Sequence, residues 1–133
     1  MPDTKIKMEK KARILVIDDD PDIGMMIKLM LEYKGYKVTV LDKAGKIEEF
    51  LRNGNIDMVI MDMLLSGTNG IDICTGLKSD PAISHIPLIM MSAHPDAKKN
   101  CLDAGADDFV SKPFDMQDML AKISTLINRK NNS

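Results

Sequence analysis

Val59-Ile60-Met61-Asp62 is an apolar run that ends on a carboxylate, and it sets the reading of the whole chain. Three other stretches have the same form: Ile14-Leu15-Val16-Ile17-Asp18-Asp19-Asp20, Leu88-Ile89-Met90-Met91-Ser92 and Phe109-Val110-Ser111-Lys112. Each begins apolar and ends on a charged or hydroxyl side chain. Short runs rich in Ile and Val, bounded by polar residues, read as strands buried on both faces. Four such strands separated by helical patterns imply a parallel sheet whose carboxyl ends share one side. That side then holds Asp18, Asp19, Asp62, Ser92 and Lys112. Three carboxylates in one small space repel unless a cation neutralises them. The pattern therefore asks for a divalent metal.

Outward from these runs, the chain reads as alternating strand and helix. Arg13 to Ile17 is the first strand, and Asp20-Pro21-Asp22 opens a helix, with a capping carboxylate and Pro in the first turn. Ile23, Met26, Ile27, Met30 and Leu31 recur at helical spacing, predicting one stripe against the sheet, and Gly35 ends that helix. Tyr36 to Leu41 alternates and suits an edge strand. Ala44 to Asn53 is a short helix, and Ile56 to Met61 the strand leading to Asp62. A helix through Ile71, Cys74 and Leu77 precedes the Leu88 to Met91 strand. Another spans about Asp96 to Ala104, then comes the Phe109 to Ser111 strand, and the last helix covers Asp115 to Asn128. The economical arrangement is a doubly wound five-stranded parallel sheet of flavodoxin-like order 2-1-3-4-5, with five helices on both faces. In that order the chain reverses between the first and third strands, where Asp18, Asp19 and Asp62 flank the crevice.

Composition narrows the function classes. The chain has 133 residues, 44% hydrophobic and 29% charged, enough for one domain with a real core. Its net charge of −2, with signs interleaved, gives no general attraction to nucleic acid. The domain is expected over residues 13–128, after a basic leader at 1–12 and before a tail or linker start at 129–133. No apolar run is long enough to span a membrane. Cys74 and Cys101 lack a CxxC or His neighbour and read as partly buried thiols of a cytosolic protein. Among the methionines, Met26, Met30, Met61 and Met90 read as core filler. Asp57, about 16 Å from Asp62 along a strand, belongs at the opposite end of the sheet. His85 and His94 read as surface residues.

The pattern Ile17-Asp18-Asp19, Asp62 followed by Gly70, Ser92-Ala93 and Lys112-Pro113-Phe114 resembles the response-regulator receiver domain of two-component signalling, from about Arg13 to Asn128. The resemblance implies that Asp62 is the nucleophile, taking a phosphoryl group from a phosphohistidine on a sensor histidine kinase or a histidine phosphotransfer protein. It implies Mg²⁺ held directly by Asp19 and Asp62, through water by Asp18, and by the backbone carbonyl of Leu64; hard oxygen ligands suit that ion. Lys112 would neutralise phosphoryl oxygens and the Ser92 hydroxyl would bond another. The Lys112-Pro113 bond would be cis. Phe109 would be the aromatic switch, rotating inward when Ser92 moves toward the phosphoryl group, so that a downstream protein or fused output domain senses the change. Leu64 and His94 would tune the lifetime of the acyl phosphate. A homodimer through the last helix and strand would follow by analogy. So would a cytoplasmic location, with no enzymatic activity beyond phosphotransfer to itself and autodephosphorylation. The family often carries Met-Pro where this chain has Leu65-Ser66, which implies a looser loop under the Leu64 carbonyl. Phe109 also lacks the hydroxyl of Tyr.

Three other readings stand beside this one. A small phosphohydrolase with an Asp nucleophile would need a second Asp two residues on, where this chain has Leu64. A nucleotide- or flavin-binding module would need a glycine-rich phosphate cradle in place of Asp-Asp-Asp-Pro. A receiver-like interaction module that works without phosphorylation would not need the complete acidic set.

Overall fold

A computed structural model describes residues 11–131 apart from 66 and 95. Residues 1–10 of the leader, Ser66, Pro95 and the last two residues of the tail lie outside the described residues. Five strands form one sheet: β1 (Arg13–Ile17), β2 (Lys37–Leu41), β3 (Met58–Asp62), β4 (Leu88–Ser92) and β5 (Asp108–Ser111). Their order is β2-β1-β3-β4-β5, and every neighbouring pair is parallel. This is the expected order.

The helices are α1 (Pro21–Tyr33), α2 (Ile47–Asn53), α3 (Gly70–Lys78), α4 (Ala97–Asp103) and α5 (Met116–Asn131). A 3₁₀ turn at Ala44–Lys46 leads into α2. Helix α5 runs to Asn131, so the boundary expected after Asn128 falls inside a helix.

Alternate strand residues face two separate cores. Leu15, Ile17, Val59, Met61, Leu88, Met90 and Phe109 pack against α2, α3 and α4. Ile14, Val16, Met58, Ile60, Ile89, Met91 and Val110 pack against α1 and α5. Burial of both faces is why the strands read as unbroken apolar runs. The two buried cysteines sit in the first of these cores and are free thiols, fully rather than partly buried.

Helix α1 corrects one expectation. Its buried residues are Gly24, Ile27 and Leu31, whereas Met26 and Met30 lie on the exposed side and are not core filler. Glycine decides the orientation. A Cβ at Gly24 would stand 2.9 Å from Val40 Cγ1, so this residue lets the helix backbone press close to β2. The helix start matches expectation: the Asp20 carboxylate accepts from the N–H groups of Asp22 and Ile23, and Pro21 sits in the first turn.

Candidate functional site

The carboxyl ends of β1, β3 and β4 and the residue after β5 meet at one rim. Strand register places Ile17 beside Met61 and Asp62 beside Met91, and the Lys112 N–H donates to the Ser92 carbonyl at 2.8 Å. The fold therefore brings together residues separated by nearly the whole described chain. The buried polar side chains among the described residues are Asp18 (1% exposed), Asp62 (8%) and Ser92 (1%). All three are site residues named from the sequence. Burying a carboxylate is costly unless it is paired, so the groups gathered here must find partners at the rim.

Asp18, Asp19 and Asp62 each offer a carboxylate oxygen within 4.8 Å of the others. The Lys112 ammonium donates to Asp62 Oδ2 at 2.7 Å and to Asp18 Oδ2 at 3.0 Å. The other oxygens are held by backbone: Asp20 N–H donates to Asp18 Oδ1 at 2.9 Å, and Leu64 N–H to Asp62 Oδ1 at 3.2 Å. Burial pushes Asp18 above the usual carboxylate range; the Asp20 and Lys112 bonds pull it back, without cancelling the rise. Burial would lower Lys112, but the bonds it donates to Asp62 and Asp18 outweigh it and hold the ammonium above its ordinary value. The pocket thus sets one ammonium against an excess of negative charge. One cation cannot neutralise three carboxylates, and the hard oxygen donors fit Mg²⁺.

The loop after Asp62 is restrained. Leu64–Leu65 pairs antiparallel with Thr68–Asn69 in a two-residue ribbon, and Leu65 is buried. Gly70 then starts α3 hard against the strand end: its N–H donates to the Met63 carbonyl at 2.7 Å, and Asn69 Oδ1 caps the helix through the Ile71 N–H. Sequence reading used Gly70 only as a spacing marker. A Cβ there would lie 2.7 Å from the Met63 carbonyl oxygen and 2.8 Å from that of Asp62, so glycine is required for the loop to close. Glycine next to a capping Asn at a helix start was the available signal, but the close approach itself is a tertiary fact.

The other named residues fall as follows. Ser92 Oγ accepts from the His94 N–H at 3.0 Å, and Lys112-Pro113 is cis. His85 and His94 are exposed. Leu64 has an exposed side chain beside the pocket. Phe109 already lies in the core; inward rotation would have to start from a position other than the one seen here. Asp57 sits at the far end of β3, where its carboxylate accepts from the Arg13 N–H at 2.8 Å, with no part in the rim.

The family model described as the response regulator receiver domain matches residues 14–124. The DNA-binding response regulator MtrA of Mycolicibacterium smegmatis is 34% identical over 121 residues, covering 90% of this chain and 52% of that protein. The DNA-binding dual master transcriptional regulator RpaA of Synechocystis sp. is 34% identical over 119 residues, covering 88% and 49%. The chain spans about half the length of these curated relatives. Among solved structures, a response regulator receiver domain from Clostridium thermocellum has a TM-score of 0.80 at 33% identity, covering 90% of this chain and 97% of that one. A CheY-like receiver domain protein from Methanospirillum hungatei JF-1 has a TM-score of 0.83 at 26% identity, covering 92% and 98%.

Proposed function

Because the chain belongs to the response-regulator receiver domain family of two-component signalling, we propose that it accepts a phosphoryl group on Asp62 from a phosphohistidine and switches a partner surface in response. The observation that carries this is the Lys112 ammonium bridging Asp62 and Asp18 inside a buried acidic cluster. An Asp62 oxygen attacks phosphorus, the P–N bond breaks with its electron pair going to the ring nitrogen, and the imidazole leaves neutral, keeping the proton already on its other nitrogen. Such a transfer needs alignment and charge neutralisation more than acid–base groups. Lys112 meets the incoming oxygens with fixed charge, and the Ser92 hydroxyl, whose oxygen accepts from the His94 N–H, would donate its own proton to one of them. Asp19, Asp62 and the Leu64 carbonyl would hold Mg²⁺, with Asp18 acting through water. That ion would neutralise the charge that gathers on the phosphoryl group.

The donor would be a sensor histidine kinase or histidine phosphotransfer protein. Its surface would cover the ground around the pocket. Pro21, Met25 and Lys28 of α1 border a hollow with Asp18 and the β2 end from Val38 to Asp42, so this end of α1 lies beside the Asp18 corner of the rim. A shift of Ser92 toward the phosphoryl group would couple phosphorylation to the neighbourhood of Phe109 and α4. The coupling is a shift between states, and its size is set by the differential contacts of the phosphoryl group. The output would be a downstream protein or a fused domain, with cytoplasmic localisation. Among the described residues, no helix is long and apolar enough to cross a membrane.

Incubation with acetyl phosphate and Mg²⁺, followed by intact mass, tests the reading. Wild type should gain one phosphoryl group and Asp62→Asn none. Equal labelling of both, or turnover of general phosphate esters, would sink it.

A further inference from the structure

The methionines divide sharply by position. Met58, Met61, Met90, Met91 and Met119 are fully buried, and Met63 and Met116 are half-buried. The exposed ones among the described residues, Met25 (52%), Met26 (43%) and Met30 (39%), all lie on α1. Leu29 and Tyr33 extend the same apolar face. At one end Met25 shares the hollow with Asp18. At the other, Met30 lines a groove toward α5 with Met116 and Leu120.

We propose that these three thioethers are an oxidation site through which peroxide disables phosphoryl transfer from a protein donor while leaving the chemistry of Asp62 intact. The inference rests on the receiver reading and on the donor covering the rim at Met25. An exposed thioether sulfur attacks the outer oxygen of a hydroperoxide. The S–O bond forms, the O–O bond breaks, and water leaves when the oxidant is hydrogen peroxide. Sulfur is oxidised by two electrons, and the peroxide is reduced by the same two. The product is a polar sulfoxide in place of a soft apolar side chain. The core methionines are shielded by packing, so the sheet and the acidic cluster survive. A polar oxygen pressed against an apolar partner without a hydrogen bond is unfavourable. A small donor that touches only the pocket meets no such barrier.

The test uses the full chain, dilute hydrogen peroxide, and two donors. One is acetyl phosphate. The other is a histidine phosphotransfer domain, preloaded with phosphate and chosen because it phosphorylates the untreated chain. Peptide mapping should find sulfoxide at Met25, Met26 and Met30 before any core methionine. The rate from the protein donor should fall about tenfold or more, equivalent to roughly 1.4 kcal/mol of lost contact. Labelling by acetyl phosphate should hold. The variant Met25→Leu, Met26→Leu, Met30→Leu keeps volume and apolarity, and whatever its starting rate, peroxide should not lower it. Reduction by methionine sulfoxide reductases should restore the wild-type rate. Oxidation of core methionines first, equal loss with both donors, or unchanged transfer from the protein donor would each overturn the inference. Failure of acetyl phosphate to label untreated chain would instead overturn the receiver reading.

Discussion

The Lys112 ammonium donates to the Asp62 carboxylate at 2.7 Å, across fifty positions of sequence, and to Asp18 at 3.0 Å. It is the only cation paired with either of these carboxylates among the described residues. Replacing Lys112 with Ala should therefore leave two buried carboxylates facing each other. Without metal, stability should fall by about 3 kcal/mol, the low end for breaking a buried pair. Mg²⁺ should return part of the loss, because it neutralises the same oxygens. Urea denaturation with and without Mg²⁺ checks both statements; a deficit that Mg²⁺ leaves untouched would separate Lys112 from the metal site.

Gly70 and Gly76 lie on the same helix and should respond oppositely to alanine. At Gly70 the new Cβ would meet backbone within 2.7–2.9 Å, so the loop under Leu64 must move. Stability should fall by about 2 kcal/mol, and Mg²⁺ affinity should weaken with it. At Gly76 nothing lies within 4 Å, and alanine should stabilise by about 0.5 kcal/mol through the unfolded chain. Thermal melts and Mg²⁺ titration by calorimetry read the contrast.

Cys74 should stay a thiol wherever the native state persists. Burial pushes it from 9.0 up to about 11. Because the folded value is the higher one, the stability linked to this proton is present below pH 9.0 and is lost as pH rises through 9.0 to about 11. The loss should approach about 3 kcal/mol, at roughly 1.4 kcal/mol per pK unit over the two units between 9.0 and about 11. Native chain should resist thiol reagents at mildly alkaline pH and label fully in denaturant. Labelling of native chain at the denatured rate would contradict the burial.

Asp57 separates structure from chemistry. Asp57→Ala removes the acceptor for the Arg13 N–H, and the cost should be about 1 kcal/mol. Acetyl phosphate labelling of Asp62 should match wild type, since the two residues occupy opposite ends of β3. Denaturation and intact mass on one sample give both readings.

Much of the architecture was legible in the chain itself. Apolar runs closing on Asp18, Asp62, Ser92 and Lys112 announced both the parallel sheet and the rim, because a strand buried on both faces can carry a polar group only at its end. Asp20-Pro21 and Gly35 marked the limits of α1 through local capping and backbone freedom, which depend on near neighbours alone. The packed structure alone decided which side of α1 faces inward. Apolar residues occupy several faces of that helix, so periodicity does not rank them, and the approach of Gly24 to Val40 does. It likewise decided that Phe109 rests in the core, that Gly70 abuts two carbonyls, and that one lysine serves two carboxylates. These are contacts between distant segments, set by how layers pack, and a local pattern of residue types carries no measure of that distance.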